Sequence, residues 1–187
     1  KAAPTLSSNV FSKMKENQKD ITVGVTDENN RLQYQWKFNS DTITQPDMDI
    51  DLTISFDTDR ENEVKEITGR DDLMYLSFSH HGALPGPATI KTYVGNKYKD
   101  GDIVYLYYFN EEQNRVESVG GVNKGLVVND GYVEYTITHC SLYFLSQDTA
   151  EIIKAVDPDT ADNNGQVADV ADTAKDSAAT GDTTRVF

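Results

Sequence analysis

Residues 48–56, MDIDLTISF, alternate apolar and polar without a break. Met48, Ile50, Leu52, Ile54 and Phe56 fall on one side of an extended chain, and Asp49, Asp51, Thr53 and Ser55 on the other. A period of two suits a strand with one face in a core and one in water; a helix would scatter the same residues around its circumference. The period recurs. ITVGVT (21–26) and RLQYQWKFN (31–39) flank the turn-prone DENN, and Leu32, Tyr34, Trp36 and Phe38 share one face. Further strands are expected at LMYLSF (73–78), ATIKTYV (88–94), DIVYLYYFN (102–110), RVESVG (115–120), KGLVV (124–128), GYVEYTIT (131–138) and SLYFLS (141–146). Turn signals part them: PGP at 85–87, GNKYKDGD at 95–102, EEQN at 111–114 and NDG at 129–131. Short strands at such spacing, with no crossover helices visible between them, predict an all-β fold, an antiparallel β-sandwich. A short N-terminal helix is expected over NVFSKMKENQ, capped by Ser7 or Ser8, with Val10, Phe11 and Met14 on one face.

The sandwich is expected to occupy residues 7–147. After Gln147 the composition changes to Asp, Ala and Thr, although EIIKAV (151–156) has the pattern of one or two helical turns. Residues 148–187 carry nine acidic and three basic side chains. So little apolar surface cannot offset the entropy of ordering, so a flexible acidic linker or tail is expected there.

Charge narrows the function classes. The chain holds 17 basic and 31 acidic residues, a formal charge of −14, so nucleic acid and anionic membrane surfaces are repelled. No run approaches the ~20 apolar residues that cross a bilayer. The opening KAAPTLSS has no apolar core of a leader, and any secretion signal is expected to have been removed already. The single cysteine, Cys140, excludes an intrachain disulfide.

Several patterns invite a chemical reading. His139, Cys140 and Ser141 are adjacent, but neighbours on a strand point to opposite faces, so His139 cannot serve Cys140 as a base. SHHG (79–82) lacks a cysteine or carboxylate at metal-ligand spacing. Asp47, Asp49 and Asp51 suggest calcium, yet carboxylates along an extended strand diverge, and a solvated or guarded edge accounts for them. DPDTADNNGQV, in the tail, fails the register of a calcium loop, with Thr160 and Ala171 at ligand positions. Neither metal nor cofactor is expected. Aromatics are the better clue. In IVYLYYF, Tyr105 and Tyr107 lie opposite Val104, Leu106 and Tyr108. With the latter set in the core, Tyr105 and Tyr107, beside Tyr93, become candidate ligand-binding residues, a flat aromatic platform for sugar rings. Cross-strand packing under a second covered face is the alternative. Lys91 and Glu134 could serve an isopeptide crosslink, but alternation puts both on the polar side.

The runs LPGPATIKTYVGNKYKDGDIVYLYYFNEEQNRVESVG and GYVEYTITHCSLYFLS, followed by the Asp/Ala/Thr-rich linker, resemble a module of large surface proteins of anaerobic gut Firmicutes. The resemblance is strongest over 84–146 and less specific over 7–78. It implies a non-catalytic β-sandwich that accompanies cohesins, glycoside hydrolases, carbohydrate-binding modules or adhesin domains, and it carries over no ligand residues. In those proteins the module precedes a wall-sorting signal. Thr180–Gly181–Asp182 resembles the cleavage point of an LPxTG-type motif, with Ala178 and Ala179 where that motif differs. A monomeric, extracellular module of a secreted or wall-attached Gram-positive protein is therefore expected, acting in adhesion or presentation. Polysaccharide or another surface protein would be its partner. A purely structural stalk, or an accessory domain of a secreted glycoside hydrolase, stands as the alternative.

Overall fold

A computed structural model describes residues 4–161. In chain order its elements are β1 (Thr5–Leu6), α1 (Ser8–Asn17), β2 (Ile21–Thr26), β3 (Leu32–Phe38), a 3-10 turn at Ser40–Thr42, β4 (Ile50–Asp51) and β5 (Ile54–Ser55). There follow α2 (Glu61–Thr68), β6 (Met74–Tyr93), β7 (Ile103–Asn110), β8 (Arg115–Ser118), β9 (Gly125–Val127), β10 (Tyr132–Ser146), α3 (Ala150–Ile153) and α4 (Pro158–Ala161).

The two longest strands, β6 and β10, organise the rest. They pair antiparallel from Tyr93↔Tyr132 to Met74↔Leu145, with two register breaks. After Ala88↔Ile137 the next pair is Ala83↔His139, and after Gly82↔Cys140 it is Ser77↔Leu142. At each break β6 has residues to spare: the LPGP and FSHH segments bulge out of the ladder. Bulges bend a strand and increase its twist, so this one ribbon contributes to two half-sheets. The first is β2-β3-β6-β10, using the later part of β6 and the earlier part of β10. The second is β5-β6-β10-β7-β8, using the other parts, with β9 beside the start of β7. Gly86 permits the first bulge: a Cβ there would lie 2.3 Å from the carbonyl oxygen of Thr42.

The inner faces of the half-sheets share one core. Tyr34, Trp36, Phe38 and Ile90 from the first pack with Leu76, Phe78, Val104, Leu106 and Leu145 from the second. The architecture is thus the expected all-β antiparallel, sandwich-like fold. Trp36 is fully buried, stacked on Phe38 at 5.8 Å and edge-on to Phe78 at 5.5 Å, and its Nε1 donates to the Leu52 carbonyl at 3.0 Å.

Three expectations change. The alternating run 48–56 buries Ile50, Leu52 and Ile54 as its period requires, but it is not one strand. β4 pairs with β1 in a small two-stranded sheet, a pairing the Leu52 N–H extends by donating to Pro4, whereas β5 pairs with β6 in the main sheet; between them the Thr53 N–H turns to the Asp51 carboxylate. Helix α2, absent from the sequence reading, places Val64 and Thr68 inward and ends at Gly69 in the left-handed conformation. With α3 it covers the outer face of the second half-sheet, where Val64, Ala150 and Ile153 form a second core with Tyr75, Tyr107, Phe109 and Phe144. Folded structure also continues past residue 147, where the sequence places its end. Val156 exchanges backbone hydrogen bonds with the edge of β8, accepting from Ser118 and donating to Val116, each at 2.9 Å.

Candidate functional site: a groove beside β10

Tyr105, Tyr107 and Tyr93 do not form one platform. Tyr107 is 1% exposed, 5.4 Å from the Phe144 ring, and its hydroxyl donates to the Asp148 carbonyl at 2.8 Å. The alternation along β7 holds, and Tyr107 does point away from the main core. What changes the outcome is that α2 and α3 cover that face, so Tyr107 is core rather than ligand surface. Tyr105, beside it, is half-buried against the same cluster. Tyr93 lies on the first half-sheet, opposite Tyr132 with ring centroids 5.3 Å apart. The Arg31 guanidinium covers its ring at 4.1 Å, and a Cβ on Gly131 would come within 2.9 Å of that ring. Thr180 and Gly181 lie outside the described residues.

The accessible chemistry gathers beside β10. Strand β7 joins β10 only from Leu142 onward, whereas β6 runs along its whole length. The other edge of β10, from Tyr132 to His139, therefore opens towards the segment 119–127, which ends in β9. Three adjoining hollows of about 370, 230 and 360 Å³ follow that edge. The first two share Val119, Gly120 and Thr136, and the last two share Leu126 and Glu134. Seven residue steps of a strand make this groove roughly 23 Å long.

The end at His139 is aromatic. His139 sits between the two register breaks, half-buried against Tyr108 and Tyr143 at centroid distances of 4.7 and 5.6 Å. Tyr108 and Tyr143 are themselves 5.5 Å apart. The Tyr143 hydroxyl donates to the His139 carbonyl at 2.8 Å, and the hydroxyl oxygen lies 3.2 and 3.3 Å from the imidazole nitrogens. Glu117, opposite Tyr108 in the ladder, is nearly buried. Its Oε1 accepts from Arg115 Nε at 2.8 Å and from Asn110 Nδ2 at 2.9 Å. Burial lowers the His139 pKa below 6.5, opposed in part by the Glu117 charge, so the ring is neutral near pH 7. Burial likewise pushes Tyr108 upward and keeps it a phenol. Farther along, Thr136, Glu134 and Lys124 supply hydroxyl, carboxylate and ammonium groups, and Lys91 Nζ lies 4.9 Å over the Tyr132 ring at the far end.

The other sequence candidates have local tasks. Cys140 is buried with its thiol pushed up to about 12, the state of an inert core residue. His80 Nε2 lies 3.1 Å from the Ala83 carbonyl, and His81 is exposed. The Asp49 carboxylate accepts from the Ser8 N–H at the start of α1, at 2.7 Å. Among the described residues no group of three or more His, Cys, Asp or Glu side chains converges on a metal position. Lys91 and Glu134 are register partners on the polar face. A separate apolar hollow of about 220 Å³ lies between Phe56, Met74 and Tyr93. Its one ionic group, Arg31, is engaged by Asp27 at 3.0 Å.

Sequence reasoning assigned Tyr108 to the core and set His139 aside with catalysis. The signal that joins them is the bulged register of β6 and β10, which alternation does not carry. No protein-family model matches the chain, and no curated protein or solved structure is found that resembles it.

Proposed function

We propose that the chain is a non-catalytic module of a bacterial surface protein, and that it binds a neutral polysaccharide chain along the groove beside β10. One observation carries this reading: the three hollows are continuous, elongated and mixed in character, with aromatic rings at both ends and alternating polar groups between. Linear sugars present apolar ring faces flanked by hydroxyls. Tyr108, His139 and Tyr132 offer ring surface at low entropic cost, while Thr136, Glu134 and Lys124 offer donors and acceptors. The first and third hollows are each within the usual size of a small-molecule site. A net charge of −14 favours neutral over acidic glycans. The edge of β10 that has no partner strand among the described residues adds backbone N–H and C=O groups to the hydrogen-bonding surface.

Affinity electrophoresis in gels containing soluble neutral polysaccharides tests the reading. Retardation by at least one glycan is expected, lost in Tyr108→Ala and weakened in Glu134→Ala, and retained in Tyr105→Ala. Absence of retardation by every neutral glycan, or retardation indifferent to Tyr108 and Glu134, would overturn it and leave the stalk function in its place.

A further inference from the structure

Both nitrogens of the His139 ring look onto one oxygen. Tyr143 Oη lies 3.2 Å from Nδ1 and 3.3 Å from Nε2, and it already donates to the His139 carbonyl at 2.8 Å. A neutral imidazole carries one N–H and an imidazolium carries two, which diverge across the ring. One oxygen nearly equidistant from both nitrogens cannot lie in line with both N–H bonds. A protonated ring therefore needs a further partner for at least one of them. Glu117 does not supply it: its Oε1 accepts from Arg115 and Asn110, and among the described residues no carboxylate forms an ion pair with His139. His139 lines the hollow at the aromatic end of the groove, so the partner of an imidazolium N–H is water entering that hollow.

We propose that His139 is a pH gate on the groove: a bound sugar packs on its neutral ring, and protonation of the ring releases the sugar. The gate rests on the proposed polysaccharide beside β10 and names what regulates its binding. A sugar seated against Tyr108 and His139 displaces the water that an imidazolium requires, whereas the neutral ring loses little by it. The occupied groove thus holds the ring neutral more strongly than the empty one, and by linkage protonation weakens binding by the same factor. Of the residue types lining the three hollows, only histidine ordinarily changes charge between pH 5 and 8. The charged groups around the ring act in both directions. Glu117 on β8, Glu111 and Glu112 in the turn before it, and Asp157 and Asp159 on either side of Pro158 favour a cation. Arg115 offsets Glu117, and His80 lies across the ladder at the carbonyl of Ala83, the register partner of His139. Tyr108 and Tyr143 are phenols whose pKa values burial raises. Burial already outweighs the Glu117 charge in the empty groove, and a sugar adds to that burial.

Isothermal titration calorimetry of the full chain with xyloglucan, galactomannan and mixed-linkage β-glucan, between about pH 5 and pH 7.5, is the test. Binding is expected to be level near neutrality and roughly fivefold weaker at the acid end, while His139→Gln, whatever its affinity, keeps it across the range. An NMR titration of the His139 ring should show its pKa fall when the same glycan is bound. If His139→Gln binds too weakly to titrate, that shift decides alone. Binding indifferent to pH, equal weakening in wild type and His139→Gln, or a His139 pKa that stays or rises on binding overturns the gate and leaves the glycan reading in place. Absence of binding to all three glycans at neutral pH overturns both.

Discussion

Tyr108 and His139 meet edge to face, ring centroids 4.7 Å apart and planes 72° from parallel, although β7 does not pair with β10 until Leu142. The contact exists because the β6–β10 ribbon breaks register on both sides of His139. The imidazole thereby lies over the end of β7 instead of facing open solvent. It leaves one half-buried titratable ring at the aromatic end of the groove, and its environment has measurable consequences.

Stability should fall with acid in a window set by His139. Burial holds its folded pKa below the 6.5 of an unfolded histidine. As the pH drops through 6.5 the unfolded chain therefore binds a proton first, and stability declines from there down to the folded pKa. Above 6.5 both states are neutral and the term vanishes. Asp27 and Asp51, whose pKa values are lowered by hydrogen bonds from backbone N–H groups or from Thr53, act only at more acid pH. Melting temperature against pH between about 5 and 7 should slope upward in the wild type and flatten in His139→Gln. Equal slopes in the two proteins would contradict the assignment.

Tyr107 and Tyr105 should separate cleanly under mutation. Tyr107→Ala opens a cavity between β7 and Phe144 and should cost about 3–5 kcal/mol. Tyr107→Phe, losing only the hydrogen bond to Asp148, should cost about 1 kcal/mol. Half-buried Tyr105→Ala should cost clearly less than Tyr107→Ala in urea unfolding. A mild Tyr107→Ala would mean that α2 and α3 do not cover this face.

Arg115 holds a carboxylate that burial would otherwise make expensive. Removing it in Arg115→Ala leaves Glu117 with Asn110 as its remaining side-chain donor and should cost about 2 kcal/mol. Glu117→Gln in the same background should recover much of that loss, because the unpaired charge is gone. Chemical denaturation of the two single variants and the double variant measures the coupling directly.

Trp36→Phe should destabilise more than the change in ring size alone would suggest. The indole N–H is the donor to the Leu52 carbonyl, at the point where the chain passes from β4, paired with β1, to β5, paired with β6. Losing it leaves a buried acceptor unpaired, an added cost of about 1–3 kcal/mol. Thermal unfolding against Phe38→Leu, a neighbour without a polar role, provides the comparison.

Period-two alternation made much of this protein legible. Trp36, Phe38, Ile50, Leu52 and Ile54 are inward as their spacing requires, and the antiparallel all-β class follows from the same pattern. Alternation also separates Tyr107 from Leu106, because the pleat of a strand is a property of the local backbone. It does not say what covers the second face. That depended on α2 and α3, which lie far from β7 in sequence: α2 carries too few apolar residues to announce itself, Val64 and Ile67, and the helical pattern around 151–156 does not show that Ala150 and Ile153 pack on β7. The groove was equally hidden. His139, Tyr108 and Glu117 come to line one hollow only once the LPGP and FSHH segments bulge from β6 and bend the ribbon that β10 shares. The sequence by itself determined which side chains turn inward along each strand. Tertiary structure decided which outward faces are covered and which are left open, since long-range register and packing between distant segments leave no local period to read.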